Sequence, residues 1–184
     1  MERIIILGCS GSGKSTFARA LGAALNRSVT HLDSLYWRPG WVETPRPEFI
    51  ELLRELVQGE TWIMDGNYSA TLDIRLEAAD TILYFDLTRR VCLWSVIRRV
   101  LTYHGRSRPD LAPGCPEKFA SDLLWRVWNY PRRNRPALLQ KLADCREEQT
   151  VRIFHSRREA YAFLSDYSAY PGEGFPVSKP PFES

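Results

Sequence analysis

Gly8-Cys9-Ser10-Gly11-Ser12-Gly13-Lys14-Ser15 follows directly on the apolar run Ile4-Ile5-Ile6-Leu7, and the two stretches read together decide the fold. The spacing is G-x-x-x-x-G-K-[ST], and the helical pattern of Thr16-Phe17-Ala18-Arg19-Ala20-Leu21 comes next. A strand that feeds a glycine-rich turn opening a helix aims successive backbone N–H groups, and the positive helix end, at one spot fit for a polyphosphate. The phosphate-binding set is therefore Gly8, Ser10, Gly11, Ser12, Gly13, Lys14, Ser15 and Thr16. Lys14 reaches the β- and γ-phosphates, and the Ser15 hydroxyl is a Mg²⁺ ligand.

Outward from this loop the chain alternates. Strands are expected at residues 3–7, 29–33, 61–65, 81–86 and 151–154. Helices are expected at 13 to about 25, 44–59, 72–79, 89–103, 116–130, 131–148 and 157 to about 167. Apolar strands separated by helices predict a parallel sheet covered on both faces, hence an α/β fold. The Gly-, Arg- and Pro-rich stretch 103–116 suits a loop that closes over a ligand, within a lid region of about 98–135. Residues 1–167 read as one domain, and the Pro/Gly-rich end from 168 to 184 as a tail that is mobile or draped on the surface.

Composition narrows the classes. A chain of 184 residues makes one ordinary domain. Four scattered cysteines with no C-x-x-C pair, and no leader pattern, point to a reduced cytoplasmic setting. No apolar stretch approaches the ~20 residues that span a bilayer. The net charge is only +3, but residues 89–135 hold eleven basic side chains against three acids, so an anionic ligand is expected there.

In such a sheet, ligands sit beyond the carboxyl ends of the strands. Asp65, after Trp62-Ile63-Met64, has the form of a Walker B acid that holds Mg²⁺; the alternative is a turn cap. Asp33 fits the base or orienting group for an acceptor hydroxyl, or else a cap. Asp86 reads as a helix N-cap. Lys14, Asp33, Asp65, Arg98, Arg99 and Arg132 form the catalytic set, the arginines clamping the transferring phosphoryl group, with Arg106 and Arg108 inside the lid. Asp33, Tyr36, Trp37, Asn67 and Arg75 form the acceptor set, the aromatics of a loop over residues 35–41 walling a planar or apolar face. Trp125 and Trp128 read as core rather than as a stacking platform. The three histidines are isolated and form no zinc pattern.

Taken together, Gly8 to Ser15, His31-Leu32-Asp33, Gly40-Trp41-Val42, Asp65-Gly66-Asn67-Tyr68, Thr71-Leu72-Asp73-Ile74-Arg75, Arg108-Pro109-Asp110 and Gly114-Cys115-Pro116-Glu117 resemble the adenylate-kinase-related P-loop proteins of the DNA topology modulation (FlaR) type. The resemblance implies a nucleoside-monophosphate-kinase fold, strand order 2-3-1-4-5, ATP and Mg²⁺ as ligands, and an α-helical lid. Adenylate kinases follow the Asp-Gly with Phe-Pro-Arg, where this chain has Asn67-Tyr68-Ser69, a departure at the AMP acceptor. The expected function is a cytoplasmic ATP-dependent kinase acting on an unidentified small acceptor, nucleosides and nucleotides being candidates. The alternative is a nucleotide-dependent regulator of DNA topology that binds DNA or a protein through its basic middle third. A guanine-reading Asn-Lys-x-Asp run is absent from the chain.

Overall fold

The computed structural model describes residues 1–105, 111–117 and 119–168. Arg106, Arg108 and the tail beyond Ser168 lie outside the described residues. In chain order the elements are β1 (Arg3–Gly8), α1 (Lys14–Ala24), β2 (Val29–His31), α2 (Leu32–Tyr36), β3 (Trp37–Arg38), β4 (Val42–Glu43), α3 (Arg46–Leu56), β5 (Trp62–Asp65), α4 (Leu72–Ala78), β6 (Thr81–Phe85), α5 (Arg89–Tyr103), α6 (Ser121–Arg133), α7 (Arg135–Ala143), β7 (Thr150–Phe154) and α8 (Arg157–Ser168).

The large sheet is parallel in the order β2-β5-β1-β6-β7. Numbered among themselves, its five strands run 2-3-1-4-5, the order the motifs implied. β1 is central because Ile4, Ile5, Ile6 and Leu7 leave no polar side chain to expose, and all four are fully buried. Alternate residues face opposite ways. Ile4 and Ile6 pack with Phe17 and Leu21 of α1, Val96 of α5, Val127 of α6 and Leu164 of α8. Ile5 and Leu7 pack with Leu72 of α4 and Leu138 and Leu142 of α7. This two-sided cover is the α/β P-loop fold, and it fixes the carboxyl end of β1, where the glycine-rich loop starts. Among the described residues no helix is long and apolar enough to cross a membrane.

Four local expectations are corrected. The second strand ends at His31 rather than residue 33, because its partner β5 stops at Asp65, opposite His31. Leu32 then turns into a small cluster with Phe49 and Leu53, so Asp33 stands in the first turn of α2 and not at a strand end. The aromatic stretch after it forms an antiparallel hairpin, β3 with β4, with Gly40 and Trp41 at positive φ (80° and 64°) in the turn. The helix expected from residue 116 begins at Ser121, because residues 111–117 are used to meet the hairpin and the end of α5. It also runs through Pro131 to Arg133: the missing N–H falls in the last turn, and the chain turns at Asn134 into α7. Trp125 and Trp128 are not core. They are 50% and 44% exposed, with the Arg133 and Arg89 guanidinium groups over their rings.

Candidate functional site

The loop between β1 and α1 is shaped by glycine. Gly11 has φ +81°, and a Cβ there would stand 2.3 Å from the Cys92 carbonyl of α5. Gly13, at φ +101°, caps α1 without a side chain, so the first N–H groups of the helix stay available. Two side chains hold the loop from outside. Asn67 accepts from the Gly8 N–H (2.9 Å) and donates to the Gly8 carbonyl (2.8 Å). Arg157, first residue of α8, donates to the carbonyls of Ser12 (3.0 Å) and Gly11 (2.7 Å) and to Ser95 Oγ (2.7 Å). Carbonyls drawn outward in this way leave the opposite, N–H side of the peptides to an anion.

Lys14 and Ser15 open α1 and face the end of β5. Lys14 Nζ lies 3.9 Å from Asp65 Oδ1, and His31 Nδ1 lies 2.9 Å from Asp65 Oδ2. Asp65 is 3% exposed. Burial by itself raises its carboxyl, but the Lys14 charge and hydrogen bonds from His31 and Ser15 outweigh it and hold the group below the usual aspartate range. The buried Oδ1 nevertheless makes no hydrogen bond of good geometry. A carboxylate oxygen in that condition, beside a serine hydroxyl, is the hard oxygen donor set that Mg²⁺ takes, one or two protein ligands being its habit when phosphates and waters supply the rest. The residues present therefore fit the metal.

A cavity of about 800 Å³ opens from this point. Of the expected arginines, Arg99 lines it and also bonds Glu117 Oε1 at 3.2 Å. Arg98 and Arg132 are exposed and do not line it. The wall takes Arg126, Arg133 and Lys141 in their place. Asp33, Tyr36, Trp37 and Asn67 all line the cavity. Tyr68 donates to Asp33 Oδ1 at 2.7 Å, from a backbone held at φ +37°. Arg75 does not reach an acceptor. It is fully buried, donates to the carbonyls of Gly66, Asn67 and Tyr68, and burial lowers its pKa to about 10. Its work is to hold the turn that carries Asn67 and Tyr68. Asp86 is no helix cap either: Thr88 stands at the N-cap position of α5, and both Asp86 oxygens accept from Arg135 at 2.8 Å.

Two partners of the site carried little signal in the sequence. His31 stood in a motif but its role was legible only through the register, since the strand-end neighbour of Asp65 is the residue beside it. Arg157 lies 145 residues from Ser12 and belongs to no motif.

No protein-family model and no curated protein matches the chain. Among solved structures it is similar to a gluconokinase from Sinorhizobium meliloti 1021, at 18% identity and a TM-score of 0.49 over 91% of this chain and 93% of that one. A sugar kinase from Janibacter sp. HTCC2649 aligns at 14% identity and 0.48 over 90% and 91%. A shikimate kinase from Bacteroides thetaiotaomicron aligns at 15% identity and 0.43 over 90% and 95%. Identities and scores of this size leave those activities with those proteins, and what the present chain does rests on its own loop, acid and cavity.

Proposed function

We propose that this protein is an ATP-dependent kinase that moves the γ-phosphoryl group of ATP to a hydroxyl of a small acceptor. One observation carries the reading: Lys14 and Ser15 of a glycine-shaped phosphate loop meet a buried Asp65 at the mouth of an 800 Å³ cavity lined on one side by cations. In the reaction the acceptor oxygen bonds to the γ-phosphorus as the bond to the β,γ-bridging oxygen breaks, and ADP leaves with that electron pair. Mg²⁺ held by Ser15 and Asp65 would neutralise phosphate charge. Lys14 leaves Asp65 for the β- and γ-oxygens, and loop N–H groups bind the rest. Arg99, Arg126 and Arg133 meet the charge that spreads over the equatorial oxygens. Asp33 takes the acceptor proton through the oxygen that Tyr68 does not occupy.

The motif resemblance to topology modulation proteins also allowed a DNA-binding switch. Three of the middle-third cations, Arg99, Arg126 and Arg133, line the cavity beside Lys14, and that placement supports the kinase instead, since a small anionic ligand is met there rather than along a duplex. The test is Lys14→Ala. Removal of a cation that is 13% exposed leaves the core untouched, so the melt should stay within a few degrees. ATP turnover should fall on the order of a hundredfold or more. Full turnover in the folded variant overturns the site.

A further inference from the structure

We infer that the acceptor bears no negative charge: it is a neutral or positively charged alcohol whose flat or C–H-rich face rests on aromatic rings. This rests on the kinase reading above and specifies the other half of its cavity. The wall away from α5, α6 and α7 is built by α2, the β3–β4 hairpin and the turn after β5. It presents Asp33, Glu43, Tyr36, Trp37, Trp41 and Tyr68. Among the described residues no cation stands on it. Of the basic side chains that chain order brings nearby, Arg75 is buried on three carbonyls, Arg38 is exposed and paired with Glu48, and Arg46, at the start of α3, does not line the cavity.

The rings form one surface. Tyr36 lies 4.8 Å from Tyr68 and 5.0 Å from Trp37, and Trp37 lies 5.4 Å from Trp41, centroid to centroid. Trp41 and Tyr68 both stand at positive φ, where aromatic residues are rare, a costly backbone that the surrounding contacts must hold. Further bonds pin it: Trp41 Nε1 donates to the Pro116 carbonyl at 3.0 Å, and Gly40 N–H to the Gly114 carbonyl at 2.8 Å. A phosphate or carboxylate set here would lose its water against two carboxylates with no cation to replace it. Uncharged hydroxyl groups gain two carboxylate acceptors, and a cation gains those charges and the ring faces.

ADP release and phosphorus NMR with Mg·ATP and three panels test this. One panel holds uncharged sugars and nucleosides, one holds protonated aminosugars and amino alcohols, and one holds nucleoside monophosphates, sugar phosphates and sugar acids. We expect a phosphate ester from the first or second panel and only background hydrolysis with the third; which of the two responds tells neutral from cationic. Turnover greatest in the third panel overturns the inference and leaves the kinase standing. Background hydrolysis in all three, with Mg·ATP binding seen by calorimetry, overturns the kinase reading and this inference with it. For the active acceptor, Trp37→Ala should raise KM about tenfold with kcat little changed. An unchanged KM overturns the aromatic face.

Discussion

At the scale of single residues, the two aspartates assigned to the reaction, Asp65 and Asp33, differ in what surrounds them, and that difference sets their roles. Asp65 is buried and kept ionised by Lys14, His31 and Ser15, with one oxygen lacking a well-placed donor. Asp33 lines the cavity and accepts from Tyr68. Asp65→Asn keeps the shape and loses the charge that holds Mg²⁺, so Mg·ATP binding and every turnover, including slow hydrolysis by water, should fall together, on the order of a hundredfold. Asp33→Asn should leave Mg·ATP affinity within about twofold and lower transfer to the acceptor about a hundredfold. Calorimetry with Mg·ATP and transfer rates on both variants, at matched melting temperature, decide the matter. Weakened nucleotide binding in Asp33→Asn alone would show the roles reversed.

At the scale of elements, the phosphate loop is held by a helix that enters the chain last. Arg157 of α8 forks onto the Gly11 and Ser12 carbonyls and Ser95 Oγ, joining the loop to α5 as well. A lysine offers a charge without the fork. Arg157→Ala should therefore weaken Mg·ATP binding about tenfold, and Arg157→Lys should recover only part of it, because hydrogen bonds from a charged group are worth more than neutral ones. Titration calorimetry reads both, and equal affinity in all three proteins would reduce Arg157 to a surface contact. This brace also marks where sequence reading stops. Glycines, Lys14, Ser15 and Asp65 were legible because the chemistry demands those residue types at a short spacing. Arg157, Arg126 and Lys141 were not, since any surface arginine or lysine looks the same until the helices are placed. Two-residue strands such as β3 and β4 leave no periodicity to find, so the hairpin was read as a loop. Trp125 and Trp128 misled because an apolar pair three residues apart is the mark of a buried face, yet here the rings lie under guanidinium groups instead.

For the whole molecule, a parallel sheet covered on both faces was legible because β1, β5 and β6 carry runs of apolar residues, as strands buried on two sides must, while the strand order came from the motif resemblance. What joins the sheet's carboxyl end to the helices beyond it is electrostatic, and that makes the fold's stability depend on pH. Asp86, at the end of β6, takes two hydrogen bonds from Arg135 of α7, with His155 Nδ1 at 3.8 Å, and its N–H closes on the Phe154 carbonyl. The Arg135 hydrogen bonds come first in holding the Asp86 carboxyl below its usual range, against the effect of burial. Asp80 is also held low: burial pushes it up, but the Thr81 hydroxyl and the Arg3 and Glu2 N–H groups outweigh that. An unfolded aspartate takes its proton near pH ~3.9, so just below that the unfolded chain binds more protons than the folded one. The stabilisation is thus complete above about pH 4 to 5 and is lost as pH falls through the folded values. Thermal melts from pH 7 to 3 should be flat at first and then drop. Arg135 is 41% exposed and screened by water, so Asp86→Asn should cost about 1 kcal/mol at pH 7, a fall of about 2–4 °C. In acid the variant should lose less than the parent protein, and the two curves should converge. Parallel curves down to pH 3 would mean that the Asp86–Arg135 contact does not carry the acid sensitivity, leaving it to Asp80 at the amino end of the sheet and to Asp65 beneath the phosphate loop.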